Sequence, residues 1–278
     1  MVRVRIKFWI LLVAASLAFG CASKPAKKGE IPEGSLNQES DDDALLEGLN
    51  TEQKKSSPRE LEVKYQKIAQ ALKTKSEKDL LDSASLILFE DPDDVKTLNA
   101  LALFYINRGK LGLAKQYLAR ALKKGSNEAG VQNNLGIVLA AEGNQDEAIT
   151  AFKKAISIDG SNIAAATNLG LIYAKYGAYN KALPLLEHAH DSNKSDTNVA
   201  VALAVSYRGT NNASNAAKIY KGLVTGSDDV AMLLDYAEML VYELKSESEA
   251  RVVLNKIRFL DPSGEIVDRV IQLERQLK

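Results

Sequence analysis

Residues 133–158 read NNLGIVLAAEGNQDEAITAFKKAISI, and residues 167–192 read TNLGLIYAKYGAYNKALPLLEHAHDS. LeuGly at 135–136 recurs as LeuGly at 169–170, a step of 34 residues. The same step backwards lands on Leu101 and Ala102. Forwards it lands on Leu203 and Ala204, then on Ala237 and Glu238. No gap is needed across five units: 95–128, 129–162, 163–196, 197–230 and 231–264. The eleventh position of each unit is Tyr105, Leu139, Tyr173, Tyr207 and Val241, and the twenty-fourth is Leu118, Phe152, Leu186, Tyr220 and Leu254. The twenty-seventh is Ala121, Ala155, Ala189, Leu223 and Ile257, and the twentieth is Ala in every unit: Ala114, Ala148, Ala182, Ala216 and Ala250. Where two helices cross at closest approach, a larger side chain would push them apart, which accounts for that Ala. Apolar residues follow helical spacing rather than strand alternation. Gly109, Gly125, Gly143, Gly160 and Gly177 punctuate the runs. The pattern predicts an all-α chain.

Helical patterning with this period resembles the tetratricopeptide repeat, tightly over 95–264. The resemblance implies an α-solenoid of stacked helix pairs. Residues 58–94 read as a degenerate further pair: Ile68, Leu72, Ala84 and Ile87 keep helical spacing, Leu80 takes the Ala slot, and Pro92 falls where Pro262 closes the last unit. Residues 265–278 form an amphipathic stripe of Ile266, Val270, Leu273 and Leu277, suited to cap the stack. Asn180 is expected to cap a second helix. Pro184 then falls in its first turn or just after, where it forfeits at most one backbone bond.

Composition narrows the function. The chain has 278 residues, with 36 Lys+Arg against 36 Asp+Glu, and the basic residues are mixed with acids. That balance argues against nucleic acid as a partner. One Cys and two His are too few for a structural zinc site, which takes four ligands, and no cofactor is expected. GxxxxGK[ST], HExxH, GxSxG and CxxC are absent from the sequence. His188 and His190, two apart on a helix, point to different faces. No catalytic site is read from the sequence, and the chain is expected not to be an enzyme.

The N-terminus reads MVRVRIKFWILLVAASLAFGCASKPAKK over 1–28. Arg3, Arg5 and Lys7 precede an 11-residue run, 8–18, apolar but for Ser16, and small residues follow. This is the plan of a secretory signal peptide, expected over 1–20. The run is too short to span a bilayer comfortably, which takes about 20 residues. Leu17, Ala18, Phe19, Gly20 and Cys21 resemble the lipobox of bacterial lipoproteins. That resemblance implies diacylglyceryl transfer to Cys21, cleavage before it and acylation, palmitate included. It also implies a membrane anchor. Ala22 after the Cys is similar to lipoproteins sent to the outer membrane, facing the periplasm. Residues 21–57 read as the acylated Cys and a flexible tether with a reach of roughly 35 Å. Within it, residues 44–49 (AlaLeuLeuGluGlyLeu) stand behind Asp41, Asp42 and Asp43 as a short apolar segment, either a short nascent helix or docking motif, or plain linker.

The repeat resemblance implies a concave face lined by positions 2, 5, 9, 12 and 13 of each first helix. Position 9 is Leu103, Ile137, Leu171, Val205 and Met239, an apolar column. Position 5 begins Asn99, Asn133 and Thr167. Such a strip either binds a peptide or amphipathic helix of a protein partner, or packs on neighbouring helices. The Lys/Arg clamp for a C-terminal carboxylate is missing, because Asn99 and Leu103 stand at its positions. Asn134 and Asn168 match the family's Asn, which is expected to bond the local backbone. The whole plan resembles the pilotin lipoproteins of type IV pilus systems, and gliding-motility envelope lipoproteins share it. That implies a membrane-tethered scaffold assisting assembly of an envelope complex such as a secretin. The alternative is an adaptor recruiting a periplasmic protease or peptidoglycan hydrolase.

Overall fold

Among the residues that the computed structural model describes (55–124, 127–261 and 263–277), every regular element is helical. The signal peptide, Cys21, residues 22–54 of the tether and Pro262 lie outside them. The chain divides into two compact units, which meet in sequence at Ser126 and Asn127.

The first unit holds α1 (Pro58–Thr74), α2 (Glu77–Leu88), α3 (Val95–Asn107) and α4 (Leu111–Lys123). A capping box starts α1. Ser57 Oγ accepts from the Glu60 N–H, the Glu60 carboxylate accepts from the Ser57 N–H at 2.7 Å, and Pro58 needs no donor there. Ser76 and Asp94 cap α2 and α3 by accepting from the Asp79 and Thr97 N–H groups. Tyr65 donates to the Asp94 carboxylate at 2.7 Å, tying α1 to the start of α3. Leu80, Leu98, Leu101, Ala102, Leu118 and Ala121 fill the core.

The second unit holds α5 (Ala129–Ala141), α6 (Gln145–Ile158), α7 (Ile163–Lys175), α8 (Tyr179–Ser192), α9 (Thr197–Gly209), α10 (Ala213–Val224), α11 (Val230–Met239), α12 (Glu247–Leu260) and α13 (Gly264–Glu274). A π-helical turn, Leu240–Leu244, continues α11. Each first helix packs on the second helix of its pair. At the end, Val270 and Leu273 of α13 are buried, and Ile266 and Leu277 pack on the same cluster.

The repeat is visible in the backbone as well as in the side chains. The second helices begin at 77, 111, 145, 179, 213 and 247, always 34 apart. One residue ahead of each stands the tight turn, with a left-handed backbone two residues before the helix: Lys75, Gly109, Gly143, Gly177, Asn211 and Lys245, φ between 55° and 87°. The Ala column behaves as a crossing point should, since Ala114, Ala148, Ala182, Ala216 and Ala250 are all 0% exposed.

One local expectation is corrected. Asn180 is not a cap: α8 starts at Tyr179, and the Ala178 carbonyl accepts from the Lys181 and Ala182 N–H groups. Pro184 therefore lies inside α8, past its first turn, and removes the bond to the Asn180 carbonyl. Pro184 itself stays exposed, so its ring has room on the solvent side.

Candidate partner-binding face

In the second unit the predicted face falls into three parts. The first is an amide ladder. Asn133 is buried, accepts a hydrogen bond from Asn168 Nδ2 at 3.0 Å, and donates to Asn134 Oδ1 at 3.4 Å. Asn168 thus bonds a side chain of the preceding pair, not the local backbone expected from the sequence. Thr167, the next position 5 along the face, is partly buried.

The second part is apolar. Ile137 and Leu171 are partly buried: Ile137 packs against the Phe152 and Leu169 cluster, and Leu171 against the Leu186 and Leu203 cluster. Each keeps an edge at the surface. The column does not continue at that exposure. Val205 is 7% exposed and Met239 is 0% exposed. Met239 belongs to the terminal core with Tyr236, Leu240 and Leu273, and Arg269 of α13 bonds the adjoining Glu238 at 3.0 Å. The last element thus closes over the end of the column, so an exposed strip through all five residues is not what the chain forms. Leu103 and Asn99, in the first unit, are each partly buried.

The third part is ionic. Arg208 of α9 reaches Asp235 of α11 and donates through Nε to Glu243 at 2.7 Å. The buried Tyr220 donates its hydroxyl to the same Asp235 carboxylate. Burial pushes the Asp235 carboxyl up, against the opposing pull of Arg208. Burial, then the Asp235 charge, pushes the Tyr220 phenol well up. Tyr220 therefore stays protonated and Arg208 stays engaged. The guanidinium is neutralised by two carboxylates, which makes it a strut between α9 and α11 rather than a receptor for an incoming anion. Arg208 occupies position 12, one of the positions that line the predicted face, and Asp235 is position 5 of the next unit; a position 12 cation followed by a position 5 acid was the available signal.

Beside the face, an open hollow of about 410 Å³ is lined by Gln132, Leu135, Leu139, Thr150, Ala151 and Lys154. Its first-helix residues are positions 4, 7 and 11, not the predicted 5 and 9. His188 is exposed and His190 partly buried, with its Nδ1 enclosed and unpartnered. Among the described residues there is no cluster of three or more His, Cys, Asp or Glu suited to a metal. Nor is any described helix long and apolar enough to cross a membrane.

Comparison with known proteins agrees with this geometry. Residues 136–177 match the TPR repeat pattern and residues 95–123 match the Tetratricopeptide repeat pattern. No curated protein matches the chain. Among solved structures, PilF of Pseudomonas aeruginosa is similar over 76% of this chain and 97% of its own, at 19% identity and a TM-score of 0.62. YrrB, a TPR protein with an unusual peptide-binding site, covers 69% of this chain and 97% of its own, at 18% identity and a TM-score of 0.60. MamA (41-end) of Desulfovibrio magneticus RS-1 covers 62% of this chain and 97% of its own, at 21% identity and a TM-score of 0.53. The chain carries tetratricopeptide repeats in an all-α solenoid fold.

Proposed function

We propose that this chain is a membrane-tethered scaffold that holds a protein partner on the first-helix face of its repeats and so assists assembly of an envelope complex. The observation that carries the reading is the face itself. Ile137 and Leu171 keep apolar edges at the surface between a bonded amide ladder and a neutralised Arg208 strut. A rigid face of that kind suits an extended peptide or an amphipathic helix, whose apolar side chains fill the middle while the margins stay satisfied. Stacked repeats present such faces without rearrangement, which lowers the ordering cost of binding.

The tether belongs to the same proposal. The chain's single Cys follows Gly20 at the end of an apolar run. Acylation at Cys21 with two or more chains would anchor the protein stably, and one chain would not. An outer-membrane anchor facing the periplasm, and a role with a type IV pilus secretin, are the specific form we favour. The likeness to PilF supports it at the level of fold. Labelled palmitate should be incorporated into the full chain and not into Cys21→Ser. Deleting the gene should remove assembled secretin multimers and leave secretin monomer. Unchanged multimers would overturn the pilus assignment, and unlabelled wild-type protein would overturn the anchor.

A further inference from the structure

Ser56, the second of the described residues, is held at a particular place. Its N–H donates to Glu90 Oε2 at 2.7 Å and its hydroxyl to Oε1 at 2.8 Å. Lys64 donates to Ser56 Oγ at 2.7 Å and pairs with the same carboxylate. The described chain therefore begins beside the C-terminal end of α2. Two large apolar side chains stand exposed there, Leu86 at 51% and Phe89 at 72%, three residues apart and so on one flank.

The repeat register says what kind of face this is. The hollow on the α5–α6 pair is lined by residues whose equivalents in the first pair, 68 residues earlier, include Lys67, Lys78, Asp82 and Leu86. In α6 and α8 the register positions of Leu86 and Phe89 hold exposed polar residues, Lys154 and Ser157, then His188 and Asp191, where α2 has an apolar pair. At α1–α2 no described element precedes, and Lys67, Lys78 and Leu86 are exposed.

The chain upstream has the matching composition. Asp41–Asp43 precede Ala44, Leu45, Leu46, Glu47, Gly48 and Leu49. Six residues, 50–55, separate Leu49 from Ser56, so seven Cα steps give a span of up to about 25 Å. α2 is about 18 Å long, so any point along it is within reach.

We propose that residues 44–49 of this same chain fold back onto α2, seating Leu45, Leu46 and Leu49 against Leu86 and Phe89 and bringing Asp41–Asp43 toward Lys67 and Lys78. The latch shortens the connection to Cys21 to residues 21–43, cutting its reach from roughly 35 to roughly 26 Å. It requires neither acylation of Cys21 nor a partner on the repeat face.

The test uses the full chain with the photo-cross-linker p-benzoylphenylalanine in place of Phe89. Illumination should give cross-links within one chain to residues 44–49, lost when Leu45, Leu46 and Leu49 are changed to Asp. Cross-links to a second copy, to another protein or to a different segment, or none at all, would overturn the latch. Hydrogen exchange reads the unaltered patch. Amides 45–49 of the wild-type chain should exchange at least about tenfold more slowly than in the exposed-site double variant Leu86→Asp/Phe89→Asp. Equal rates would likewise overturn it.

Discussion

Gly136 lies under the ring of Phe152: a Cβ on Gly136 would stand 2.6 Å from Cε1 and 2.8 Å from Cζ. Gly170 meets Leu186 in the same way, at 2.9 Å from Cδ2. The eighth position of one helix is thus the socket for the twenty-fourth position of its partner. Gly136→Ala should gain about 1 kcal/mol of helix propensity yet lose about 1–3 kcal/mol to overpacking, for a net destabilisation. Gly222→Ala, with nothing within 4 Å, is the control and should stabilise by up to about 1 kcal/mol. Urea midpoints of the two variants should move in opposite directions.

The left-handed column makes a second prediction. Gly holds it at 109, 143 and 177, but Lys75, Asn211 and Lys245 adopt the same backbone with a Cβ. Replacing Lys75 or Lys245 by Gly should raise stability by about 0.5–1 kcal/mol each, because the strain of a left-handed residue exceeds the entropy that Gly loses. Asn211→Gly should gain less, since Asn tolerates that region. Thermal melts of the three single variants check the order.

These columns explain what could be read from the sequence. The period shows because the repeating positions are those where two helices touch, and contact tolerates few side chains. The failures arise where a residue's fate depends on an element elsewhere. Met239 follows the apolar column of its own helix, but the terminal core takes it up. Arg208 has the right face, but Asp235 and Glu243 on another helix decide whether it is available. Asn180 is a different case: its residue type suits a cap, whereas stepping 34 from Gln145 places the helix start at Tyr179.

Asp235 is buried between Arg208 and Tyr220. Asp235→Ala takes one of two carboxylates from a partly buried guanidinium, which keeps Glu243, and leaves a buried phenol hydroxyl without its acceptor; it should cost about 2–4 kcal/mol. Tyr220→Phe removes one bond while leaving the ion pair, and should cost about 1–2 kcal/mol. A double-mutant cycle by chemical denaturation should give a non-additive sum, because one carboxylate serves both partners.

Glu90 sets a pH dependence. The hydrogen bond from Lys64, with those from Ser56, holds its carboxyl down to about 2 from an ordinary 4.5. A carboxylate lowered in the folded state stabilises above its unfolded value, and that contribution is lost as pH falls from about 4.5 toward 2. Titration of the Glu90 carboxyl by NMR should show the low midpoint, and Ser56→Ala should raise it. The contribution should also weaken with added salt, since the pair lies near solvent.

The most direct test of the central claim is a partner-capture measurement with the full chain carrying Ile137→Glu and Leu171→Glu, beside the wild type and Met239→Glu. The account predicts that the face variant keeps wild-type helicity and melting behaviour within a few degrees but loses its partner, while Met239→Glu unfolds the terminal pair because an unpaired charge enters the core. Retention of the partner by a folded Ile137→Glu/Leu171→Glu chain would contradict it.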